Sequence, residues 1–197
     1  DSVNLDDVCR LIAVYREPER DRIVWDCRRR NVREYGLRNA SQRLASGHCL
    51  TEYELAAGCE IALYSEDISD YYPSFWATEA RAETNLLGRR IPAARLQHLR
   101  AYRRRRSELG DRDLVICVRS LVMGDTNAID WSQAAHESIL QSHGSLDDAS
   151  RCFHHREFPR SNHIELLCID DHIGVGQRPA AGHRNPDQGT DRLKHTA

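Results

Sequence analysis

Two adjacent acids, Asp170 and Asp171, lie between two apolar stretches within residues 165–176. Apolar residues on both sides predict two buried strands, with the acids at the tight turn that joins them. Two ionised carboxylates side by side are costly to bury unless a cation compensates their charge. The segment therefore predicts a β-hairpin whose turn carries carboxylates for a metal ion.

Asp67 is the best candidate for a third carboxylate. Residues 61–64 are typical of a buried strand that ends in acids, and an aromatic cluster follows at residues 71–76. In a two-metal site, ions about 3.5–4 Å apart stabilise both the attacking and the leaving oxygen of an in-line displacement. Magnesium suits a few carboxylates that are completed by substrate phosphates. The three acids therefore predict magnesium-dependent phosphoryl chemistry.

Four blocks follow one another in the chain at 22–31, 67–75, 121–133 and 168–171. The first has Arg, three residues, Asp, one residue, Arg, two residues and Asn. The third contains a glycine in a loop before a helix, and the last is Cys-Ile-Asp-Asp. In this order the blocks resemble the fingers and palm motifs of reverse transcriptases, the RNA-directed DNA polymerases of retroelements such as retrotransposons.

The resemblance implies an α+β fold: a right-hand polymerase palm, in which helices pack on one face of an antiparallel sheet, plus partial fingers. The expected domains are partial fingers at 1–60, a palm at 61–176 with an arginine-rich insertion around 89–112, and a disordered or truncated tail at 177–197. Nothing after residue 176 looks like a thumb. We therefore expect a fragment, a decayed copy, or a palm that needs another polypeptide.

The resemblance also implies metal ligands. Asp67 and Asp170 would bridge two Mg²⁺ ions, which Mn²⁺ can replace, and Asp171 would be a weaker or outer ligand. The backbone carbonyl of Ile68 would be a further ligand.

Nucleotide contacts are implied for Arg22, at the triphosphate, and for Tyr72, beneath the sugar, where its bulk would exclude a 2′-hydroxyl. Gly124 would let the backbone approach the nucleotide, and Asp70 would orient the triphosphate or cap the helix that follows. Tyr71 and Met123 complete this set. The aromatic residues are equally compatible with core positions.

Nucleic-acid contacts are implied for Arg28 and Gln133, and a local basic stretch adds Arg103, Arg104 and Arg105. No acid occurs between residues 86 and 107, although the formal net charge of the chain is only −2. The stretch predicts either a surface for template and primer phosphates, with Tyr102 stacking on a base, or a solvated arginine-rich helix face.

Two helices are predicted beside the motifs. Residues 51–57 are typical of a short helix capped by Thr51. From Asn127 to Ser142, the apolar residues Ala128, Trp131, Ala135 and Ile139 share one helical face, which places Asp130 and Gln133 away from that face, toward substrate.

Composition limits the class of protein. Hydrophobic content of 40% and charged content of 29% are typical of a soluble globular protein. No stretch is long enough to span a bilayer and no signal peptide opens the sequence, so we expect an intracellular protein of cytoplasm or nucleus, with no membrane partner. Seven cysteines without C-x-x-C spacing favour reduced thiols.

Three functions remain open. The leading one is an RNA-directed DNA polymerase whose partners are an RNA template, a DNA primer and deoxynucleoside triphosphates. The second is an inactive or truncated retroelement-derived palm that binds nucleic acid, and the third is a metal-dependent nuclease that uses the same acids. The oligomeric state is not readable from the sequence.

Overall fold

The computed structural model describes residues 8–180. These residues form antiparallel sheets and helices, in agreement with the predicted α+β class. They divide into two compact units that are interleaved along the chain. Unit 1 contains the described residues up to Gly36 together with Asp70–Ala128, and unit 2 contains Leu37–Ser69 and the described residues from Ile129 onward. The predicted domains are consecutive segments instead, and the boundary between fingers and palm at residues 60 and 61 stays a prediction.

Unit 1 contains two antiparallel strand pairs, β1 with β2 and β4 with β5. Its strands are β1 (Arg10–Glu17), β2 (Arg20–Asp26), β4 (Leu86–Ile91) and β5 (Leu114–Cys117). Its helices are α1 (Arg28–Asn31), α2 (Tyr71–Ser74), α3 (Glu79–Glu83) and α4 (Arg100–Leu109), with a 3-10 helix at Ala93–Leu96.

The arginine-rich helix α4 is anchored in unit 1 by Tyr102. Tyr102 is buried in a cluster with Ala93 and Leu96, and its hydroxyl donates to the carbonyl of Gly110 over 3.1 Å. The prediction that Tyr102 stacks on a base is therefore wrong, because the ring is part of the core. The arginines of α4 point outward and are exposed.

Unit 2 is built on one three-stranded antiparallel sheet with β7 in the centre. The strands are β3 (Cys59–Asp67), β6 (His163–Cys168) and β7 (Asp171–Pro179), in the order β3-β7-β6. One face of the sheet buries Ile164, Leu166 and Val175 against Cys49 and Cys152.

The tail was predicted to begin at residue 177, but the first three of its residues belong to a strand. Residues 177–179 continue β7, because they pair with residues 59–61 of β3. The rest of the predicted tail, from residue 181, lies outside the described residues.

Residues 51–57 do not form the predicted helix. A 3-10 helix at Gly47–Glu52 ends there, and the next residues are held by the side chain of Gln177. Gln177 accepts the amide hydrogen of Ala56 over 2.8 Å and donates to the carbonyl of Glu54 over 2.7 Å. In a helix, these backbone groups would form hydrogen bonds within the helix, but here they bind a side chain of β7.

Helix α5 (Ala128–Ser142) forms where it was predicted but faces the other way. Trp131 and Ile139 of the predicted apolar face are 36% and 50% exposed, although Ala128 at the start of the helix is buried. The polar residues Asp130, Gln133 and Glu137 are buried instead. Hydrophobic periodicity alone therefore assigned the wrong face to the interior.

The buried face of α5 is stable because its polar groups are partnered. The Asp130 carboxylate accepts the amide hydrogens of Asn39 and Ser41 over 2.9 and 3.0 Å. Glu137 forms ion pairs with Arg43 and with the buried Arg151. Burial raises the pKa of Glu137, but the hydrogen bonds from these arginines and from Gln133 outweigh burial and lower it. The segment around residues 39–43 is thus held by side chains of α5.

Within residues 8–180, no helix combines the length and the apolar character that a membrane crossing requires.

Candidate functional site

The three acids predicted from the sequence lie at one end of the sheet of unit 2. Asp67, the last residue of β3, is the register partner of Asp171, the first residue of β7. The amide of Ile68 donates to the carbonyl of Asp170 over 3.2 Å. The pairing of β3 with β7 therefore joins two segments that are about a hundred residues apart in the sequence.

The electrostatics at this end of the sheet are those of crowded carboxylates. Burial, and then the negative charges of Asp170 and Asp67, raise the pKa of the Asp171 carboxyl above its usual range. A nearby cation would relieve this repulsion, since it favours the ionised form. Among residues 8–180, no three His, Cys, Asp or Glu side chains are grouped so as to hold a metal ion. The acids share one end of the sheet without forming a closed cage of protein ligands.

The turn that carries the acids is held in an unusual backbone conformation. Cys168 pairs with Asp171, so Ile169 and Asp170 form a two-residue turn between β6 and β7. Ile169 has a φ of 61°, a left-handed value that is costly for a β-branched residue. The surrounding structure must therefore stabilise this turn.

Helix α5 binds both backbone groups of Ile169. The amide of Ile169 donates to Oε1 of Gln133 over 2.7 Å, and Nδ1 of His136 donates to the carbonyl of Ile169 over 2.8 Å. Gln133 also donates from Nε2 to Glu137 over 3.0 Å. These bonds fix the position from which Asp170 and Asp171 project.

The nucleic-acid contact expected of Gln133 is not what the structure shows. Its side chain is 0% exposed and its amide group is occupied by Ile169 and Glu137. Gln133 therefore acts as a support for the acid-bearing turn.

A second polar layer lies behind the turn and was missed by the sequence analysis. The hydroxyl of Tyr64 and Nδ1 of His172 are 3.1 Å apart, and Glu165 lies within 3.6 Å of His172 and 3.2 Å of His163. Burial raises the pKa of Glu165, but the influence of the neighbouring His163 and His172 outweighs burial and lowers it. Side chains alternate between the two faces of a strand, so the sequence could have predicted that Glu165 and His163 lie on one face of β6.

The pKa of His136 is lowered from its usual range. Burial is the largest influence and lowers the pKa of its imidazole, and the neighbouring His172 lowers it further, although the bond to Ile169 raises it. A neutral ring can still donate from Nδ1 to the carbonyl of Ile169. The sequence could have indicated the role of His136, because a residue three positions after Gln133 lies on the same face of the helix.

The predicted nucleotide contacts Arg22, Asp70, Tyr71, Tyr72, Met123 and Gly124 lie in unit 1. Arg22 is exposed on β2, and Met123 is exposed. Tyr72 is half-buried beside Tyr71, with ring centroids 6.5 Å apart.

Tyr71 and Asp70 have structural environments of their own. Tyr71 is buried, with its ring centroid 4.8 Å from that of Phe75, so the expected nucleotide contact is replaced by a core position. Asp70 precedes α2 with a φ of 52°, and its side chain makes no capping hydrogen bond. The capping alternative for Asp70 is therefore wrong.

Gly124 is required by the packing of unit 1 itself. Its φ is 108°, and a Cβ at this position would overlap the backbone carbonyl oxygen of Trp25. Asn31 holds the same loop, since its Nδ2 donates to the carbonyl of Gly124 over 2.7 Å and its Oδ1 accepts the amide hydrogen of Thr126 over 3.2 Å. Gly124 was expected to let the backbone approach a nucleotide. The close approach in the structure is between the loop of Gly124 and the backbone of Trp25 in β2.

The arginines that were predicted to contact nucleic acid are exposed. Arg28 binds Asp26 through two hydrogen bonds of 2.8 Å, and this contact lowers the pKa of Asp26 to about 2. Arg103 and Arg104 of α4 are exposed, and Arg105 forms an exposed ion pair with Glu108 at 2.9 Å.

No known protein family has a model that matches this chain, and a search of curated proteins also finds no match.

Replacing Gln133 by alanine should loosen the acid-bearing turn. The amide of Ile169 loses its acceptor, and an unsatisfied buried donor costs about 1–3 kcal/mol. We expect amide hydrogen exchange at Ile169 to be about tenfold faster or more. The matched control is Gln141→Ala, an exposed glutamine on the same helix. Equal exchange rates at Ile169 in the two variants would contradict the supporting role of Gln133.

Replacing Asp67 by asparagine should lower the pKa of Asp171, because one of the repelling charges is removed. The measurement is a pH titration of the side-chain carboxyl carbon of Asp171 by NMR. Glu66→Gln is the control, since Glu66 pairs with His172 and projects from the opposite face of β3. An unchanged titration of Asp171 in Asp67→Asn would show that the two acids do not interact.

Proposed function

We propose that this chain is the palm and part of the fingers of an RNA-directed DNA polymerase, a reverse transcriptase. The observation that carries the proposal is the register pairing of Asp67 with Asp171 at the end of an antiparallel sheet, next to the turn that holds Asp170. The order of the four sequence blocks supports the same assignment.

The donor set at this end of the sheet fits magnesium. It consists of the carboxylates of Asp67, Asp170 and Asp171 and the backbone carbonyl of Ile68, all oxygen ligands of the kind that Mg²⁺ prefers. Mg²⁺ usually keeps open positions for substrate phosphates, so a closed protein cage is not required. When bound, two such ions stabilise the attacking and the leaving oxygen of the displacement.

In the proposed reaction, the 3′-hydroxyl oxygen of a DNA primer attacks the α-phosphorus of a deoxynucleoside triphosphate. A new P–O bond forms, the bond to the β-phosphate oxygen breaks, and pyrophosphate leaves. The contribution of this chain is to hold Asp170 and Asp171 in place through the bonds of Gln133 and His136 to Ile169. Fixed carboxylates need no reorganisation as charge develops.

The proposed partners are an RNA template and a DNA primer, which would be bound by arginines. Helix α4 carries Arg103, Arg104 and Arg105, and guanidinium groups bind phosphate oxygens in a bidentate manner. Binding of this kind weakens with salt, because it releases counterions from the nucleic acid.

The second candidate is a catalytically inactive palm that binds nucleic acid. The observation that favours it is the set of exposed arginines on α4, which can bind phosphates without any metal ion. This candidate predicts salt-sensitive RNA binding without nucleotide transfer.

The decisive variant is Asp170→Asn. We expect the full-length encoded protein to extend a DNA primer on an RNA template with Mg²⁺, and the variant to lose at least about a hundredfold in rate. Binding of Mn²⁺, followed by electron paramagnetic resonance on the chain alone, should weaken in the same variant. Asp113→Asn, which changes an exposed acid of unit 1, is the control for charge.

The other outcomes of this experiment are informative. RNA binding with no extension by the unaltered protein would favour the inactive palm. Strand cleavage without nucleotide incorporation would favour a nuclease. Full activity of Asp170→Asn would overturn the assignment of the acids.

Replacing Tyr72 by alanine should raise the incorporation of ribonucleotides by about tenfold or more, because a smaller side chain leaves room for a 2′-hydroxyl. The measurement is the ratio of kcat/KM for ribonucleotides and deoxynucleotides in primer extension. Trp76→Ala, a change to an exposed aromatic residue of the same cluster, is the control. If both variants keep the original ratio of kcat/KM values, Tyr72 does not exclude the 2′-hydroxyl.

A further inference from the structure

Unit 1 contains two cysteine thiols in direct contact. The Sγ atoms of Cys9 and Cys27 lie 3.4 Å apart, and the side chains are 1% and 2% exposed. Arg10 and Asp26 are the register pair at the open end of the β1–β2 hairpin. Cys9 directly precedes Arg10 and Cys27 directly follows Asp26. They therefore face each other across the open end of the hairpin.

This geometry is compatible with a covalent bond. Residues opposite each other on antiparallel strands have Cα atoms about 4.5–5.5 Å apart, and disulfides span about 4.4–6.8 Å. The S–S bond is about 2.05 Å long, so the two sulfur atoms need to approach by a little more than about 1 Å. Rotation of the side chains is the main movement that this approach requires.

The two thiols differ in acidity. The hydrogen bond with Cys27 is the largest influence on Cys9 and, with the positive charge of Arg30, outweighs burial and lowers the pKa of Cys9 to about 7. The pKa of Cys27 is raised, first by its bond with Cys9 and then by burial. The contact thus favours ionisation of one thiol of the pair, and the thiolate is the reactive form.

We propose that Cys9 and Cys27 are a modification site, a thiol pair that a peroxide oxidises to a reversible disulfide. This inference goes beyond the proposed function and does not depend on it.

The chemistry balances with one equivalent of hydrogen peroxide. The thiolate of one cysteine of the pair attacks a peroxide oxygen, the O–O bond breaks, and the products are a sulfenic acid on that cysteine and hydroxide, which is protonated to water. The sulfur of the other cysteine then attacks the sulfenic sulfur, the S–O bond breaks, and the departing hydroxide takes the thiol proton to form a second water. Two thiols are oxidised and one peroxide is reduced.

The site is connected to the loop of Gly124. Sγ of Cys27 lies 3.8 Å from the position that a Cβ on Gly124 would occupy, and the carbonyl of Trp25, two residues earlier, lies against the same point. Val122 packs in the same buried cluster as the two cysteines. A disulfide would therefore join β1 to the strand end that supports this loop.

The test is a peptide map of the full chain after treatment with hydrogen peroxide and alkylation of the remaining thiols. We expect a linked pair of peptides that contains Cys9 and Cys27, lighter by about 2 Da than the sum of the two thiol peptides, and its loss after reduction with dithiothreitol. This readout needs no substituted protein. Alkylation of both residues after treatment, or sulfinic acid at Cys9 without linkage, would overturn the proposal.

Three variants test the sulfenic acid intermediate. Cys27→Ala and Cys9→Ala each remove one partner, so the sulfenic acid should accumulate on the cysteine that attacks the peroxide, where dimedone traps it. Cys117→Ala, at the exposed cysteine of β5, is the control and should leave the linked pair unchanged. No dimedone adduct at the remaining cysteine in either single variant would contradict the proposed route.

Discussion

The register between β3 and β7 is the constraint on which the candidate site depends. It makes Asp67 the partner of Asp171 over a ladder that begins at Cys59 and Pro179. Because side chains alternate between the two faces of a strand, a slip of one residue would move Asp67 to the opposite face. Gly174 helps to set the register, since a Cβ there would come within 2.7 Å of the Tyr64 ring.

The candidate site also depends on helix α5, which binds the turn between β6 and β7. The β3–β7 register places this turn next to Asp67. The buried face of α5 is polar, and each of the groups discussed above has a partner in unit 2, so desolvation is compensated by hydrogen bonds and ion pairs. The cost of an incomplete network of this kind is high, which makes the arrangement specific. The left-handed conformation of Ile169 is stabilised by Gln133 and His136, which bind both of its backbone groups.

Part of this arrangement could be predicted from the sequence. The apolar residues around Asp170 and Asp171 correctly indicated a hairpin with a tight turn, because two runs of strand-forming residues separated by acids leave few alternatives. The buried face of α5 could not be predicted, since periodicity counts apolar residues and does not register the partners that make Asp130 and Glu137 stable inside. The reason for glycine at position 124 was also hidden, because it lies in the backbone of Trp25, about a hundred residues away in the chain.

The sequence by itself determined the local elements: the strands next to the acids, helix α5, and the arginine-rich segment of α4. These depend on patterns within a few residues of one another. Only the tertiary structure decided which groups meet: Asp67 with Asp171, Gln133 with Ile169, and Cys9 with Cys27. Such contacts depend on the pairing of distant strands and on the compensation of buried charge, and both are properties of the folded chain that no local pattern contains.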